Sequence, residues 1–282
     1  MPSFVSHPLL VPETICRQDQ QLQIAVSALK ESSLVVAPTG TGKTVMALLA
    51  MLPTLERGGT VLFLAPTRPL VRQHRDFLRS VLIPHGPVVA AIDGAENPAS
   101  RRDTFIVARG FEGAVIVATP QTIDNDLQAG RYTLQDVAMI VYDEAHHATG
   151  EYAYCHVAEA YRVQGPQDRR ALGITASPGH LEEDIKAVCG ALDLSQVLTA
   201  EAELNISEEV ITLDMPADQA KAAETLHQMI ERHEWELRQV LPFGTMIRGR
   251  KVNVSNRGDL VALMDRAAQE TRRGLSYEEK AP

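Results

Sequence analysis

The sequence predicts an α/β protein, a parallel sheet covered by helices on both faces and followed by a small all-helical unit. Two observations carry this. From residue 34 to about residue 176, short apolar runs alternate with stretches long enough for crossover helices. Beyond about residue 198, apolar residues recur instead at three- and four-residue steps. The 282 residues are therefore divided into a first domain over 1–198 and a second over 199–282.

Six runs are expected to be strands: 34–37, 60–65, 88–92, 114–118, 137–142 and 171–175. Each is dense in Val, Ile, Leu and Ala without polar alternation, the pattern of strands buried on both faces. In the tail, Leu226, Met229, Ile230, His233, Leu237 and Val240 form one apolar helical stripe, which Pro242 and Gly244 stop. Leu260, Leu263, Met264, Ala267 and Ala268 form a second stripe, with Gly274 beyond it. Trp235 and the acidic residues near it suggest an exposed helix face.

Composition narrows the class. With 45 % apolar and 22 % charged residues the chain can bury a core, which excludes disordered and low-complexity classes. The longest apolar run, 45–52, is far shorter than the roughly 20 residues of a membrane helix. The start, Met-Pro-Ser-Phe-Val-Ser, lacks the basic region and apolar core of a signal peptide. Cys16, Cys155 and Cys189 are odd in number and far apart, which fits a reducing compartment; the expected location is cytoplasmic. The net charge of −9 means that any contact with nucleic acid depends on a local basic patch.

The run Leu34-Val-Val-Ala-Pro-Thr-Gly-Thr-Gly-Lys-Thr44 is the most informative segment. A buried strand enters a Gly-rich turn and then a helix, so that backbone N–H groups of Thr39, Gly40, Thr41 and Gly42 converge on an anion. Glycine is required at 40 and 42 by backbone angles closed to other residues. Lys43 would then reach the β- and γ-phosphates of a nucleotide and the Thr44 hydroxyl would hold Mg²⁺; the alternative is a strand-to-helix turn rich in glycine by chance. The first motif position is Ala37 where the strict pattern has Gly.

A second run, Ala138-Met-Ile-Val-Tyr142, ends in Asp143-Glu144-Ala145-His146. Carboxylates at the carboxyl end of a parallel strand sit where open α/β sheets bind ligands. Asp143 is suited to hold Mg²⁺ through water, and Glu144 to orient and deprotonate an attacking water. The alternative is an N-cap and a solvated charge on the next helix. His146 and His147 are neighbours without a third ligand spaced to join them, which argues against zinc.

Five segments stand in order: Ala-Pro-Thr-Gly-Thr-Gly-Lys-Thr (37–44), Ala-Pro-Thr-Arg-Pro-Leu (65–70), Ala-Thr-Pro-Gln-Thr (118–122), Asp-Glu-Ala-His (143–146) and Thr-Ala-Ser (175–177). Together they resemble motifs I, Ia, Ib, II and III of superfamily 2 helicases, over about residues 14–180. Pro-Leu-Val-Arg-Gln-His (69–74), Thr-Pro-Gln-Thr-Ile-Asp-Asn-Asp-Leu (119–127) and Gly-Ile-Thr-Ala-Ser-Pro-Gly (173–179) are similar to the archaeal Hef helicases and the Fanconi anaemia M-type DNA translocases. RIG-I-like RNA helicases are the next relatives, and Ala145, where their box usually has Cys, favours the DNA branch weakly.

The resemblance implies a RecA-like, ATP-binding motor lobe with Lys43, Asp143 and Glu144 as its catalytic residues and ATP and Mg²⁺ as its cofactors. Arg17-Gln18-Asp19-Gln20 resembles the segment whose Gln recognises adenine, with Gln20 in that role and Arg17 as a helper. A helix start with exposed amides is the other reading. Thr67, Arg68, Thr119 and Gln121 take the positions that grip one nucleic-acid strand by its backbone, a task for donors that hold phosphates without reading bases. Arg68, Arg72, Arg75 and Arg79 recur on one helical stripe, a basic patch or a solvated face. His146, Thr175 and Ser177 couple nucleotide state to strand movement, or the latter two simply cap a helix.

The tail resembles the insert between the two motor lobes of Hef-like proteins. From 242 to 258 it contains Arg248, Arg250, Lys251 and Arg257 and no acidic residue, a basic hairpin or loop for duplex or branched DNA, or a solvated connection. No Gln-x-x-Gly-Arg-x-x-Arg pattern follows residue 180, so the sequence is expected to hold one lobe and its insert without the second RecA-like lobe. The expected function is an ATP-dependent helicase or translocase lobe acting on forked or branched DNA. It needs a second lobe in cis or in trans, has no membrane partner, and turns over weakly alone. The alternatives are a non-hydrolysing ATP- and nucleic-acid-binding module and an RNA-directed RIG-I-like ATPase fragment.

Overall fold

The computed structural model describes residues 3–176 and 182–200 and, in the tail, residues 221, 224, 225, 228, 229, 232, 246, 247, 250 and 251. The chain divides into two compact units, Met1–Asn205 and Ile206–Pro282.

The first unit is a seven-stranded parallel sheet. Helix α1 (Asp19–Ala28) leads into β1 (Ser33–Val36), and α2 (Lys43–Glu56) connects to β2 (Thr60–Leu64). Then come α3 (Arg68–Val81), β3 (Val88–Ile92), α4 (Pro98–Ala108), β4 (Ala114–Ala118), α5 (Pro120–Gln128) and β5 (Val137–Asp143). A 3-10 turn over Ala145–His147 precedes α6 (Ala153–Gln164), β6 (Arg170–Thr175), α7 (Glu182–Leu192) and β7 (Gln196–Thr199). The strand order is β3-β4-β2-β5-β6-β1-β7, so the chain crosses the sheet between β1 and β2 and returns through β5 and β6.

All six expected strands form, with ends differing by a residue. Alternate residues of each strand face opposite cores. Val35, Val61, Phe63, Val117, Val141 and Ile174 pack with α1, α2 and α3. Leu34, Leu62, Leu64, Ile116, Ile140 and Tyr142 pack with α4, α5, α6 and α7. Strand β7 is an addition to the expected set. It pairs with β1 at the sheet edge from Ser33↔Gln196 to Val36↔Thr199, and only alternate positions are partly covered.

Because every pairing within this sheet is parallel, the carboxyl ends of the strands share one edge. The phosphate loop leaves β1 at that edge, the acidic pair ends β5, and Thr175 ends β6, which lies between them.

The tail, expected to be all-helical, also contains a short antiparallel ladder. Met246–Ile247 (β8) pairs with Arg250–Lys251 (β9), with Met246 opposite Lys251 and Ile247 opposite Arg250. This ladder falls inside the 242–258 stretch read as a basic hairpin or loop. Residues 221, 224, 225, 228, 229 and 232 are helical, and Met229, assigned above to an apolar stripe, is 51 % exposed. Arg248 and Arg257 lie outside the described residues.

Candidate functional site

The phosphate loop has the backbone its glycines demand. Gly40 has φ +84° and Gly42 φ +80°, both in the left-handed region, and Gly42 is the residue before the first turn of α2. A Cβ at Gly42 would also collide with the side-chain amide of Gln21. The Lys43 ammonium folds over the loop and donates to the carbonyls of Ala37 (3.2 Å) and Pro38 (3.4 Å). The Thr41 hydroxyl donates to the Pro38 carbonyl at 2.7 Å. Thr39 and Gly40 are exposed, while Thr44 is half-buried in the first turn of α2. The loop thus presents backbone N–H groups, a helix N-terminus and one ammonium to a phosphate chain.

Asp143 ends β5 and is held from two sides. Its Oδ2 lies 2.7 Å from Nε2 of His74 on α3, both side chains being buried, and its backbone carbonyl accepts from the Tyr154 hydroxyl at 2.5 Å. The His74 ring also lies against Phe63, centroids 4.7 Å apart. These contacts engage Oδ2 and the main chain and leave Oδ1 for another partner. A carboxylate oxygen here and the Thr44 hydroxyl are hard oxygen donors of the kind Mg²⁺ takes while retaining several waters, so this donor set fits the ion.

Glu144 follows with φ +49°, a left-handed backbone that a non-glycine residue adopts at a cost of ~1–3 kcal/mol, the kind of strain that collects at functional sites. Its carboxylate is about one-third exposed and lies 3.3 Å from Nδ1 of His146. The same Nδ1 lies 2.9 Å from the Thr175 hydroxyl. Thr175 in turn accepts the Ala37 backbone N–H at 3.0 Å through its carbonyl, at the start of the phosphate loop. The acidic pair, the end of β6 and the phosphate loop are therefore joined through His146 and Thr175. Ser177 lies outside the described residues.

The two histidines do not diverge as residues of a regular helix would. In the 3-10 turn their rings lie side by side, centroids 4.3 Å apart, and burial together with the His146 ring holds the His147 imidazole below its ordinary pKa.

Gln20 and Arg17, assigned above to adenine recognition, stand at and just before the start of α1. Gln20 is exposed on the first turn of α1, whereas Gln21 is buried and its amide donates to the Thr41 carbonyl at 2.9 Å. Arg17 pairs with Asp19 at 3.0 Å rather than with the loop. The helical register of α1 turns residue 21, not residue 20, toward the phosphate loop, and the two adjacent glutamines do not reveal that register locally.

Thr67 and Arg68 follow β2, and Thr119 and Gln121 follow β4, on the edge shared with the phosphate loop. Thr67, Arg68 and Gln121 are exposed. Thr119 is not: its hydroxyl caps α5, accepting from the Thr122 N–H at 3.4 Å and lying 2.8 Å from the Thr122 hydroxyl. The arginine stripe on α3 is engaged locally. Arg68 forks onto Asp93 (2.7 and 2.8 Å), Arg72 lies 3.6 Å from the same carboxylate, Arg75 pairs with Asp76 at 2.8 Å, and Arg79 donates to the Val89 carbonyl. Of the tail positions, Arg250 and Lys251 lie on β9.

Sequence reasoning missed the supporting residues His74, Tyr154 and Gln21, together with a buried hub at Asp126. Arg101 forks onto Asp126 at 2.7 and 3.0 Å, and Arg131 (2.8 Å) and the Tyr132 hydroxyl (3.2 Å) join the same carboxylate. His74 and Asp126 stood inside segments singled out above, but nothing local marks their partners.

Comparison with known proteins agrees with this arrangement. The model of the DEAD/DEAH box helicase family matches residues 17–185. A protein named as a putative ATP-dependent RNA helicase in Methanocaldococcus jannaschii is 33 % identical over 237 residues, which are 81 % of this chain and 29 % of that protein. The ATP-dependent DNA helicase mph1 of Aspergillus niger is 36 % identical over 201 residues, 70 % of this chain and 17 % of its own length. The ATP-dependent DNA helicase fml1 of Schizosaccharomyces pombe is 32 % identical over 202 residues, 71 % of this chain and 24 % of its own. Among solved structures, the Hef helicase domain of Pyrococcus furiosus is similar at a TM-score of 0.62 and 31 % identity, over 92 % of this chain and 54 % of that one. The chain thus spans under a third of the length of these curated relatives. Among its described residues no helix is long and apolar enough to cross a membrane. With a Gly-Lys-Thr loop and an Asp-Glu-Ala-His box joined at one sheet edge, this RecA-like, ATP-binding chain belongs to the DEAD/DEAH box helicase family.

Proposed function

We propose that the chain is the nucleotide-binding motor lobe of an ATP-dependent DNA helicase or translocase acting on forked or branched DNA. The observation that carries this reading is the link from Ala37 through Thr175 and His146 to Glu144, which ties the phosphate loop to the acidic pair. In this reading the loop residues Thr39, Gly40, Thr41 and Gly42 bind the phosphate chain through backbone N–H groups, and the Lys43 ammonium leaves the Ala37 and Pro38 carbonyls for the β- and γ-phosphates. Thr44 and Asp143 hold Mg²⁺, which supplies charge neutralisation at the phosphates. Glu144, one-third exposed and beside His146, orients the attacking water and takes its proton. His146 and Thr175 sense whether that carboxylate is engaged and pass the state to the end of β6.

Thr67, Arg68 and Gln121 hold the backbone of one strand, and the 242–258 segment adds a further basic contact. The DNA helicase names of mph1 and fml1 favour DNA. Turnover also calls for a second RecA-like lobe, in cis or in trans, carrying an arginine finger that contributes about 10³–10⁵ in rate.

The test is nucleotide and DNA binding by the purified chain, with and without a second-lobe partner. Lys43→Ala should weaken ATP binding by about 10- to 100-fold, the scale of hydrogen bonds to a charged group. Basal hydrolysis should be very slow. Robust DNA-stimulated hydrolysis by this chain alone, abolished by Glu144→Gln, would overturn the need for a partner lobe. Unchanged nucleotide affinity in Lys43→Ala would overturn the site itself.

A further inference from the structure

The edge proposed to grip a nucleic-acid strand carries a carboxylate in the middle of its cations. Asp93 is the first residue after β3, and β3, β4 and β2 are consecutive neighbours in the sheet. Its side chain therefore emerges beside the segments that follow β2 and β4. There it accepts both arms of the Arg68 guanidinium, Nε to Oδ1 at 2.7 Å and a terminal nitrogen to Oδ2 at 2.8 Å, and Arg72 lies 3.6 Å from Oδ2. The Ala95 N–H donates to Oδ1 at 3.0 Å. A carboxylate and a phosphate offer a guanidinium the same bidentate geometry, so Asp93 occupies the bonding positions a phosphodiester would use. Its pKa is held below the usual carboxylate value, first by the Arg68 hydrogen bond and then by the Ala95 N–H, which keeps it charged near neutral pH.

This carboxylate is not on a freely moving side loop. Behind it, Arg101 donates to the carbonyls of Glu96 (2.5 Å) and Gly94 (3.5 Å) while forking onto buried Asp126. A Cβ on Gly94 would come within 2.8 Å of the Thr122 hydroxyl, so the loop is seated directly against the start of α5. The loop after β3 is thereby fixed to the segment after β4, and Asp93 is aimed at the segment after β2. An ion pair whose carboxylate is anchored in this way differs from the ordinary exposed pair, whose partners must first be ordered.

We propose that Asp93 is an internal competitor for the phosphodiester backbone, holding Arg68 and Arg72 where a phosphate would bind and so setting the affinity and salt dependence of this edge for a nucleic-acid strand. It rests on the reading of Arg68 as a backbone contact. With Asp93 in place the three side chains sum to one positive charge; without it they sum to two. The strand must displace the carboxylate before it gains the full fork, and the counter-ions released per strand bound are fewer.

The experiment is fluorescence anisotropy of the full chain with a single-stranded oligothymidylate across a salt series. Asp93→Asn removes the charge but keeps an oxygen for the Ala95 N–H, and Asp93→Ser serves as a second variant should the first melt early. Asp103→Asn, which removes an exposed α4 carboxylate beside Arg102, measures the general effect of one less negative charge. The expected result is binding several-fold tighter in both Asp93 variants at low salt. The slope of log K against log salt should be steeper by about 0.7, the contribution of one further phosphate contact on a single strand. The Asp103 variant should match the unaltered chain, and adding Arg68→Ala to Asp93→Asn should cancel the gain.

If Arg68→Ala alone weakens binding while the Asp93 variants bind no tighter, the competitor role is overturned and the backbone contact stands. If Arg68→Ala alone leaves binding unchanged, the contact itself is overturned and the proposal falls with it.

Discussion

His74 Nε2 and Asp143 Oδ2 lie 2.7 Å apart with both side chains buried, which joins α3 to the carboxylate proposed to face Mg²⁺. The Asp143 carboxylate is thereby oriented before any nucleotide arrives, since the bond to Oδ2 and the Tyr154 bond to its carbonyl fix both the side chain and the main chain. His74→Ala leaves a buried acceptor unpaired and should cost about 1–3 kcal/mol of stability in urea unfolding. It should also reduce the gain in ATP affinity on adding Mg²⁺, whereas His74→Gln, which retains a donor, should restore part of that gain. Equal Mg²⁺ dependence in all three proteins would show that the imidazole has only a packing role.

Asp126 is fully buried and is shared by Arg101, Arg131 and Tyr132. Asp126→Ala strands the buried Arg101 charge and should cost about 3–5 kcal/mol. Replacing both partners by apolar residues of similar size should cost less than the single change. Urea midpoints of the two variants decide the point, and a double variant weaker than the single one would contradict it.

Tyr142 lies within β5 and is wholly buried, and among the described residues its hydroxyl is the buried side-chain group without a hydrogen-bond partner. Burial pushes its pKa well above the usual phenol value. Its ring packs edge-on against Tyr154, centroids 5.4 Å apart, a contact that phenylalanine preserves. Tyr142→Phe should therefore be neutral or stabilising by about 1 kcal/mol, because an unsatisfied polar group is removed without loss of shape. A fall in melting temperature would show that the hydroxyl has a partner, such as a bridging water.

His156 links α6 to α5 and to the segment after the acidic box. Its Nδ1 lies 3.0 Å from Asp124 and its Nε2 3.5 Å from Glu151, and the Asp124 hydrogen bond raises its pKa above the ordinary 6.5. A raised folded-state pKa gives stability that is complete below the unfolded value. That stability is lost as pH rises from about 6.5 through the folded value. The side chain is 40 % exposed, so solvent screening keeps the effect small. Urea midpoints measured from pH 5.5 to 8.5 should drift downward with rising pH in that window by ~0–1 kcal/mol, the scale of exposed pairs. His156→Asn should flatten that drift.

Much of this architecture is local in origin. Strands such as Thr60–Leu64 and Ala114–Ala118 are buried on both faces, so nearly every residue in them is apolar and the run is visible without its neighbours. The Gly-rich loop is equally visible, because φ values of +84° and +80° at Gly40 and Gly42 leave little choice of residue. Strand β7 escaped notice for the opposite reason. Gln196–Thr199 is four residues long and half-exposed at the sheet edge, so its pattern is neither a buried run nor a long alternation.

That a nucleotide loop follows one buried strand and an acidic pair another is written in the residue order alone, because strand burial, positive φ and phosphate contact each restrict residue type within a few positions. What those residues meet depends on how the elements pack. The insertion of β6 between β1 and β5 brings Thr175 to both Ala37 and His146. The packing of α3 on the sheet delivers His74 to Asp143, 69 residues away. The register of α1 selects Gln21 over Gln20 for the loop. The alignment of β3, β4 and β2 sets Asp93 against Arg68, so that an arginine stripe readable in the sequence as a basic patch is in the fold partly neutralised. Charge–charge distances depend on strand order and helix packing, which no window of neighbouring residues contains.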